Sequence, residues 1–153
     1  MADSFGNLIL RMTRTFDATP DRVFAAWTDA EQFGQWFGPV GVKTVSCGID
    51  ARVGGAWGLV GEHNNTRMAV SGRYVEIEPP QRLVYTFAWH EKGDLALPRG
   101  QESVVTIVFT PVGQRTEMTF TQAVFKDEEA VAAHNRGWTD SFDKLGDILR
   151  RSP

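Results

Sequence analysis

Few residues in this chain combine a chemically useful type with a useful spacing. His134 and Asn135 are neighbours early in a long amphipathic stretch, residues 127–151, and helical spacing puts both within its apolar arc beside Trp138 and Phe142. An imidazole and an amide so placed would orient a polar group of a ligand, or else pair with backbone carbonyls or water at a sheet rim. Asp50 and Arg52 are two apart and share a face if their segment is extended. They would pair with each other or with Arg73, or hold a carboxylate or phosphate, for which a guanidinium is suited. Cys47 has no basic residue beside it in its strand and reads as an inert thiol. His63, next to Glu62, has no second histidine or cysteine cluster at metal-ligand spacing. The chain carries neither a phosphate-cradling glycine loop with lysine nor a serine in a nucleophile elbow. No cofactor or metal is implied and no catalytic residue is assigned. An enzyme would need a titratable pair such as His134 with Asp50 or Glu62 within hydrogen-bond reach.

The elements that position these residues follow from periodicity. Residues 7–16 alternate and predict a strand covered on one face. Thr19 as N-cap with Pro20 at the first helical position predicts a short helix, which turns Val23, Phe24 and Trp27 inward. Asp29 with Gln32 three residues on starts a second, with Phe33, Trp36 and Phe37 on its apolar side and Gly38-Pro39 as its stop. Six strands are then expected at 42–52, 56–62, 67–78, 82–90, 102–110 and 116–125, with turn-rich breaks that favour antiparallel neighbours. Only the break 91–101 is long, and its composition predicts a mobile surface loop. In the final stretch Val131, Trp138, Phe142, Leu145 and Leu149 share one side, with Ile148 at its edge. Acidic residues 127–129 and the basic Arg150 and Arg151 suit the two ends of the helix dipole.

The predicted architecture is α+β: a seven-stranded, curved antiparallel sheet with two short helices after the first strand and a long C-terminal helix across its concave face. Trp36, Trp57, Tyr85, Phe87, Trp89, Phe109, Met118, Phe120 and Trp138 supply large side chains to that interior. They read either as the lining of a ligand cavity or as plain core. The 153 residues are expected to form a single domain, 1–153, with a sizeable core. A net charge of −3 gives no reason to expect a nucleic acid or an anionic membrane as partner, and no run is long enough to span one. The first seven residues lack the basic and apolar regions of a secretory signal, and the lone cysteine fits a reducing compartment, so a cytoplasmic location is expected. The oligomeric state is not legible.

Several local sequences carry a family resemblance: Thr19-Pro20-Asp21-Arg22-Val23-Phe24-Ala25-Ala26-Trp27-Thr28-Asp29, then Gln35-Trp36-Phe37-Gly38-Pro39, then Asp50-Ala51-Arg52-Val53-Gly54-Gly55-Ala56-Trp57. The run from Gly72 to Thr86, with Pro79-Pro80-Gln81 in it, and the closing Gly137-Trp138, Leu145 and Leu149 continue the pattern. Together they resemble the AHSA1 (activator of Hsp90 ATPase homologue 1-like) family of the START/Bet v 1-like (SRPBCC) helix-grip superfamily. The resemblance implies a helix-grip fold and a small apolar or amphipathic ligand between sheet and helix. Entry is expected near 91–101 and the start of the helix, with His134, Asn135 and Arg52 giving orientation. It also implies two alternatives: a protein-interaction module with a chaperone as partner and a role in stress response, or a cyclase- or hydrolase-like enzyme.

Overall fold

The computed structural model describes residues 8–123 and 125–151, so the expectations for residues 1–7, 124 and the last two lie outside it. Strand β1 (Leu10–Phe16) alternates as its sequence requires, with Leu10 and Phe16 buried and Arg11, Thr13 and Thr15 exposed. Helix α1 (Pro20–Thr28) begins at Pro20, whose fixed φ suits a first helical position. Thr19 occupies the N-cap without a side-chain cap bond, so the start rests on proline geometry rather than on the expected hydroxyl. In α2 (Ala30–Trp36) the cap is made: Asp29 Oδ2 accepts from the Gln32 amide at 3.1 Å.

Six strands follow: β2 (Lys43–Ile49), β3 (Ala56–His63), β4 (Thr66–Glu78), β5 (Arg82–Trp89), β6 (Ser103–Val112) and β7 (Arg115–Ala123). They form one antiparallel sheet in the order β1-β7-β6-β5-β4-β3-β2. The β3–β4 turn is shorter than its Asn-rich sequence suggests, because Asn64 and Asn65 both take positive φ and close a two-residue hairpin. Likewise β6 runs through Pro111 and Val112, leaving only Gly113 and Gln114 as the turn. At Gly72 a Cβ would stand 1.7 Å from the Thr86 carbonyl oxygen, so only glycine permits this approach. The Trp57 indole crosses there and donates to the same oxygen at 3.0 Å.

The 91–101 segment carries local structure that its composition does not announce. It opens with a 3-10 turn (Glu91–Gly93), and His90 bridges to Arg99. The His90 imidazole pins its middle: Nδ1 donates to the Leu97 carbonyl at 2.8 Å, which leaves Nε2 to accept from Ser71 Oγ at 2.6 Å. Arg99 adds a bond to the Ser71 carbonyl.

The last helix, α3 (Glu128–Arg151), lies over the concave face and buries Trp138, Phe142, Leu145 and Leu149. Fully burying each such side chain stabilises by ~1.5–3 kcal/mol, against ~1 kcal/mol for Gly137 in mid-helix. At the centre sits Trp27, 1 % exposed, with the rings of Phe33, Trp36, Tyr85, Phe120, Trp138 and Phe142 around it at centroid distances of 4.7 to 6.4 Å. Trp36 Nε1 donates to the Ala26 carbonyl at 3.1 Å and locks α2 onto α1. Much of the expected hollow is therefore filled from the α1–α2 side.

Among the described residues two buried side-chain polar atoms have no hydrogen-bond partner, Trp27 Nε1 and the Tyr85 hydroxyl. Burial holds the Tyr85 pKa well above that of a free phenol. Since an unpaired buried hydroxyl costs ~1–3 kcal/mol of desolvation, Tyr85→Phe is expected to leave the urea unfolding midpoint unchanged or raise it. Phe142→Ala, which opens a cavity, is expected to lose ~3–5 kcal/mol. A large loss for Tyr85→Phe would show that the hydroxyl is bonded.

Candidate functional site

Where α3 passes the turn after α2, it presents Ala133, Gly137 and Ser141, one helical turn apart on the same edge. These small side chains leave space. Opposite them stand Phe37, Gly38 and Pro39, and the sides are closed by Met68, Phe87, Trp89, His134 and Trp138. The result is a half-open pocket of about 190 Å³, lined almost wholly by apolar atoms. A second pocket of about 210 Å³ lies beyond, lined by Gly100, Gln101, Ser103, Phe125, Lys126 and Ala130. The two share Phe87, Trp89 and His134 as their common wall.

The polar groups at the first pocket are ordered by a short chain of bonds. Trp138 Nε1 donates to Gln122 Oε1 at 2.8 Å, Gln122 Nε2 donates to Ser103 Oγ at 2.8 Å, and Ser103 donates to the Phe87 carbonyl. This buried relay uses a fully enclosed Gln122 and leaves none of its members free. Ser141 Oγ accepts from the Gly38 amide at 2.8 Å and donates back into the same turn or to the Gly137 carbonyl. His134 is the exception. Its Nδ1 lies 2.8 Å from the Ala130 carbonyl, which can only accept, so Nδ1 carries the proton. Nε2 is thereby an acceptor, and it receives the Trp89 Nε1 proton at 2.9 Å. Burial lowers the His134 pKa, with the Ala130 bond acting weakly in the other direction.

The structure brings only part of the expected site together. Phe87, Trp89, His134 and Trp138 line the pocket. Trp36, Trp57, Tyr85, Phe109, Met118, Phe120 and Phe142 are nearly or wholly buried within the core cluster, packed on one another behind the pocket wall. Asn135 is exposed and bonds Thr139 in its own helix, because it falls just past the edge of the buried arc. Asp50 and Arg52 pair with each other at 2.8 Å on an exposed turn, remote from the pocket lining. His134 meets neither Asp50 nor Glu62, both of its ring nitrogens being engaged elsewhere. Half-buried Cys47 has its pKa raised to about 11, first by burial and then by Asp29, as suits an inert thiol. Among the described residues no group of histidines, cysteines and carboxylates is arranged to hold a metal ion. Among the described residues no helix is long and apolar enough to cross a membrane.

Sequence reasoning missed Phe37, Pro39, Met68, Ala133, Gly137 and Ser141 as pocket residues. The signal was present in the small residues at 133, 137 and 141, whose spacing of four repeats along one helix edge. Two surface grooves are larger. One, between β1 and α3, is lined by three arginines and three aspartates that already pair as Arg14–Asp143, Arg115–Asp17 and Arg150–Asp147. The other lies open beside β2 and β3. Neither combines enclosure with an apolar wall.

His134 gives the fold a pH dependence of definite sign. An unfolded histidine takes up its proton near 6.5, whereas the folded one does so only at lower pH. In that window the unfolded chain binds more protons, so stability falls as the pH drops below about 6.5. Urea unfolding midpoints between about pH 7.5 and about pH 5 should decline less steeply for His134→Gln than for the natural chain. Equal slopes would contradict the assignment of the proton to Nδ1 alone.

Comparison with known proteins agrees with this architecture. The family model described as activator of Hsp90 ATPase homologue 1-like protein matches residues 17–150. The crystal structure of an AHSA1 protein from Silicibacter pomeroyi is 31% identical with a TM-score of 0.84, covering 95% of this chain and 99% of that one. A protein from Chromobacterium violaceum is 27% identical (TM-score 0.82; 93% and 96% covered), and one from Rhizobium leguminosarum 26% identical (TM-score 0.79; 94% and 95%). No match was found among functionally curated proteins. A matched stretch that runs from the end of β1 almost to the end of α3 takes in the pocket and everything that shapes it, and the chain belongs to the activator of Hsp90 ATPase homologue 1-like family, with its START/Bet v 1-like helix-grip fold.

Proposed function

We propose that this protein binds a small apolar or amphipathic molecule, one ring in size, in the pocket between α3 and the Phe37–Pro39 turn. The observation that carries this reading is the pocket itself: about 190 Å³ of half-open, apolar-walled space left by small residues on one edge of α3. A dry cavity of about 150 Å³ takes up benzene, while drug-sized ligands need ~300 Å³ or more. Volume therefore favours a single substituted ring over an acyl chain or a sterol. The four aromatic walls, Phe37, Phe87, Trp89 and Trp138, favour the same kind of guest, because they offer both faces and edges for ring contacts.

Gly137 supports the reading independently. A Cβ there would meet nothing closer than Pro39 Cγ at 3.9 Å, an ordinary contact, so packing does not require glycine. Helix propensity argues against it by ~1 kcal/mol relative to alanine. The interaction-module alternative has less to stand on. Among the described residues the exposed valines of the sheet are Val45 on β2, Val75 on β4, and Val104 and Val112 at opposite ends of β6, with a strand between each of these strands. They form no continuous apolar patch of the kind that marks a docking face.

Isothermal titration with substituted benzenes tests the proposal. The natural chain is expected to bind such rings saturably at one site. Gly137→Ala, whose methyl enters the pocket toward Pro39, is expected to bind more weakly while being more stable by up to ~1 kcal/mol. Gly137→Leu, which fills the pocket from the helix side, is expected to lose binding at least about tenfold, equivalent to ~1.4 kcal/mol. Equal binding by Gly137→Leu would place the guest elsewhere.

A further inference from the structure

From the Trp89–His134 pair we infer that the pocket selects a ring bearing one hydroxyl group, a small phenol, and that the hydroxyl inserts between these two side chains. The inference rests on the ring-binding reading above and adds the chemistry that chooses among rings.

Few polar atoms at the pocket are free to change partners. Trp138 Nε1 is tied to the enclosed Gln122, and Ser141 is tied to the backbone of Gly38 and Gly137. Among the described residues only the bond from Trp89 Nε1 to His134 Nε2 joins two half-buried side chains across the wall shared by both pockets. Its two atoms are unlike. Trp89 Nε1 can only donate, and His134 Nε2 can only accept while Nδ1 holds the proton toward the Ala130 carbonyl.

A group that enters this bond without loss must accept from the indole and donate to the imidazole. A hydroxyl does both, so one bond becomes two and no buried atom is left unpaired. An ether or carbonyl oxygen accepts from Trp89 but strands His134 Nε2 without a donor. A methyl group leaves the original pair closed and gains contact alone. The aromatic rings around the pair fix where the body of the guest would lie, on the side of Phe87 and Trp138. The opposite side, toward Gln101 and Lys126, has room for a second substituent.

The alternative outcome differs in sign, which makes the inference easy to test. A purely apolar pocket would disfavour a phenol relative to its methyl isostere, because the hydroxyl loses water and gains no partner. Titration of the natural chain at about pH 8, where a phenol is un-ionised, with p-cresol, p-xylene and 4-methylanisole distinguishes the cases. The account predicts that p-cresol binds more tightly than p-xylene, by about tenfold, and that 4-methylanisole is the weakest. Trp89→Phe and His134→Phe are each expected to reverse the order of p-cresol and p-xylene while still binding p-xylene. His134→Gln, which keeps an acceptor, is expected to retain the p-cresol preference in part, and it covers the case in which His134→Phe fails to fold. Tighter binding of p-xylene by the natural chain would overturn the inference and leave the ring-binding reading intact. A p-cresol preference that survives both aromatic variants would also overturn it. Binding of none of the three would overturn both.

Discussion

The placement of Trp27 is the constraint on which the remaining structure depends. A curved seven-stranded sheet and a single helix across it enclose more volume than the side chains of those two layers fill. Here α1 and α2 supply the missing bulk, with Trp27 of α1 at the centre and six aromatic rings from α2, the sheet and α3 around it. Close packing of this kind is intolerant of voids, so the interior divides into a solid part near α1 and a residual space where α3 thins to small residues. The candidate site is what the core does not fill, bounded on the α2 side by the Phe37–Pro39 turn.

This division explains why so few polar groups remain available to a ligand. Buried donors and acceptors favour partners, and the relay from Trp138 through Gln122 and Ser103 to the Phe87 carbonyl satisfies its own members, while Trp27 Nε1 and the Tyr85 hydroxyl stay enclosed in the core. What is left at the pocket wall is one exchangeable bond, whose direction is dictated two steps away by the Ala130 carbonyl. A single backbone oxygen thus fixes the tautomer of His134 and, through it, what the pocket wall asks of a guest. The surface charges do not compete for this role, since those lining the large groove beside α3 already neutralise one another.

The fold was legible because each element had its own periodicity and its own stop. The alternation of β1, the proline at the start of α1 and the apolar side of α3 each reported local geometry that the tertiary structure then used unchanged. The site was legible only in part. His134, Trp89, Phe87 and Trp138 could be placed on the inner face by phase alone, whereas Trp36, Trp57 and Phe120 share that phase and end in solid core. Phase tells which way a side chain points, not what has already occupied the space ahead of it. Asn135 shows the angular limit of the same reasoning, since one residue of rotation carried it from the arc to solvent. Asp50 and Arg52 satisfy each other before any ligand is considered, which spacing alone allowed but did not require. The local structure of 91–101 was illegible for another reason: the imidazole of His90, outside that segment, bonds into it.

The central claim is that the space between α3 and the Phe37–Pro39 turn admits a ring. A crystal structure of the protein soaked with 4-iodophenol, with the iodine located by its anomalous scattering, tests this most directly. The account predicts one strong peak enclosed by Phe37, Gly137 and Trp138, with the phenol oxygen between Trp89 Nε1 and His134 Nε2. An empty pocket, with iodine found only on the outer surface, would contradict it.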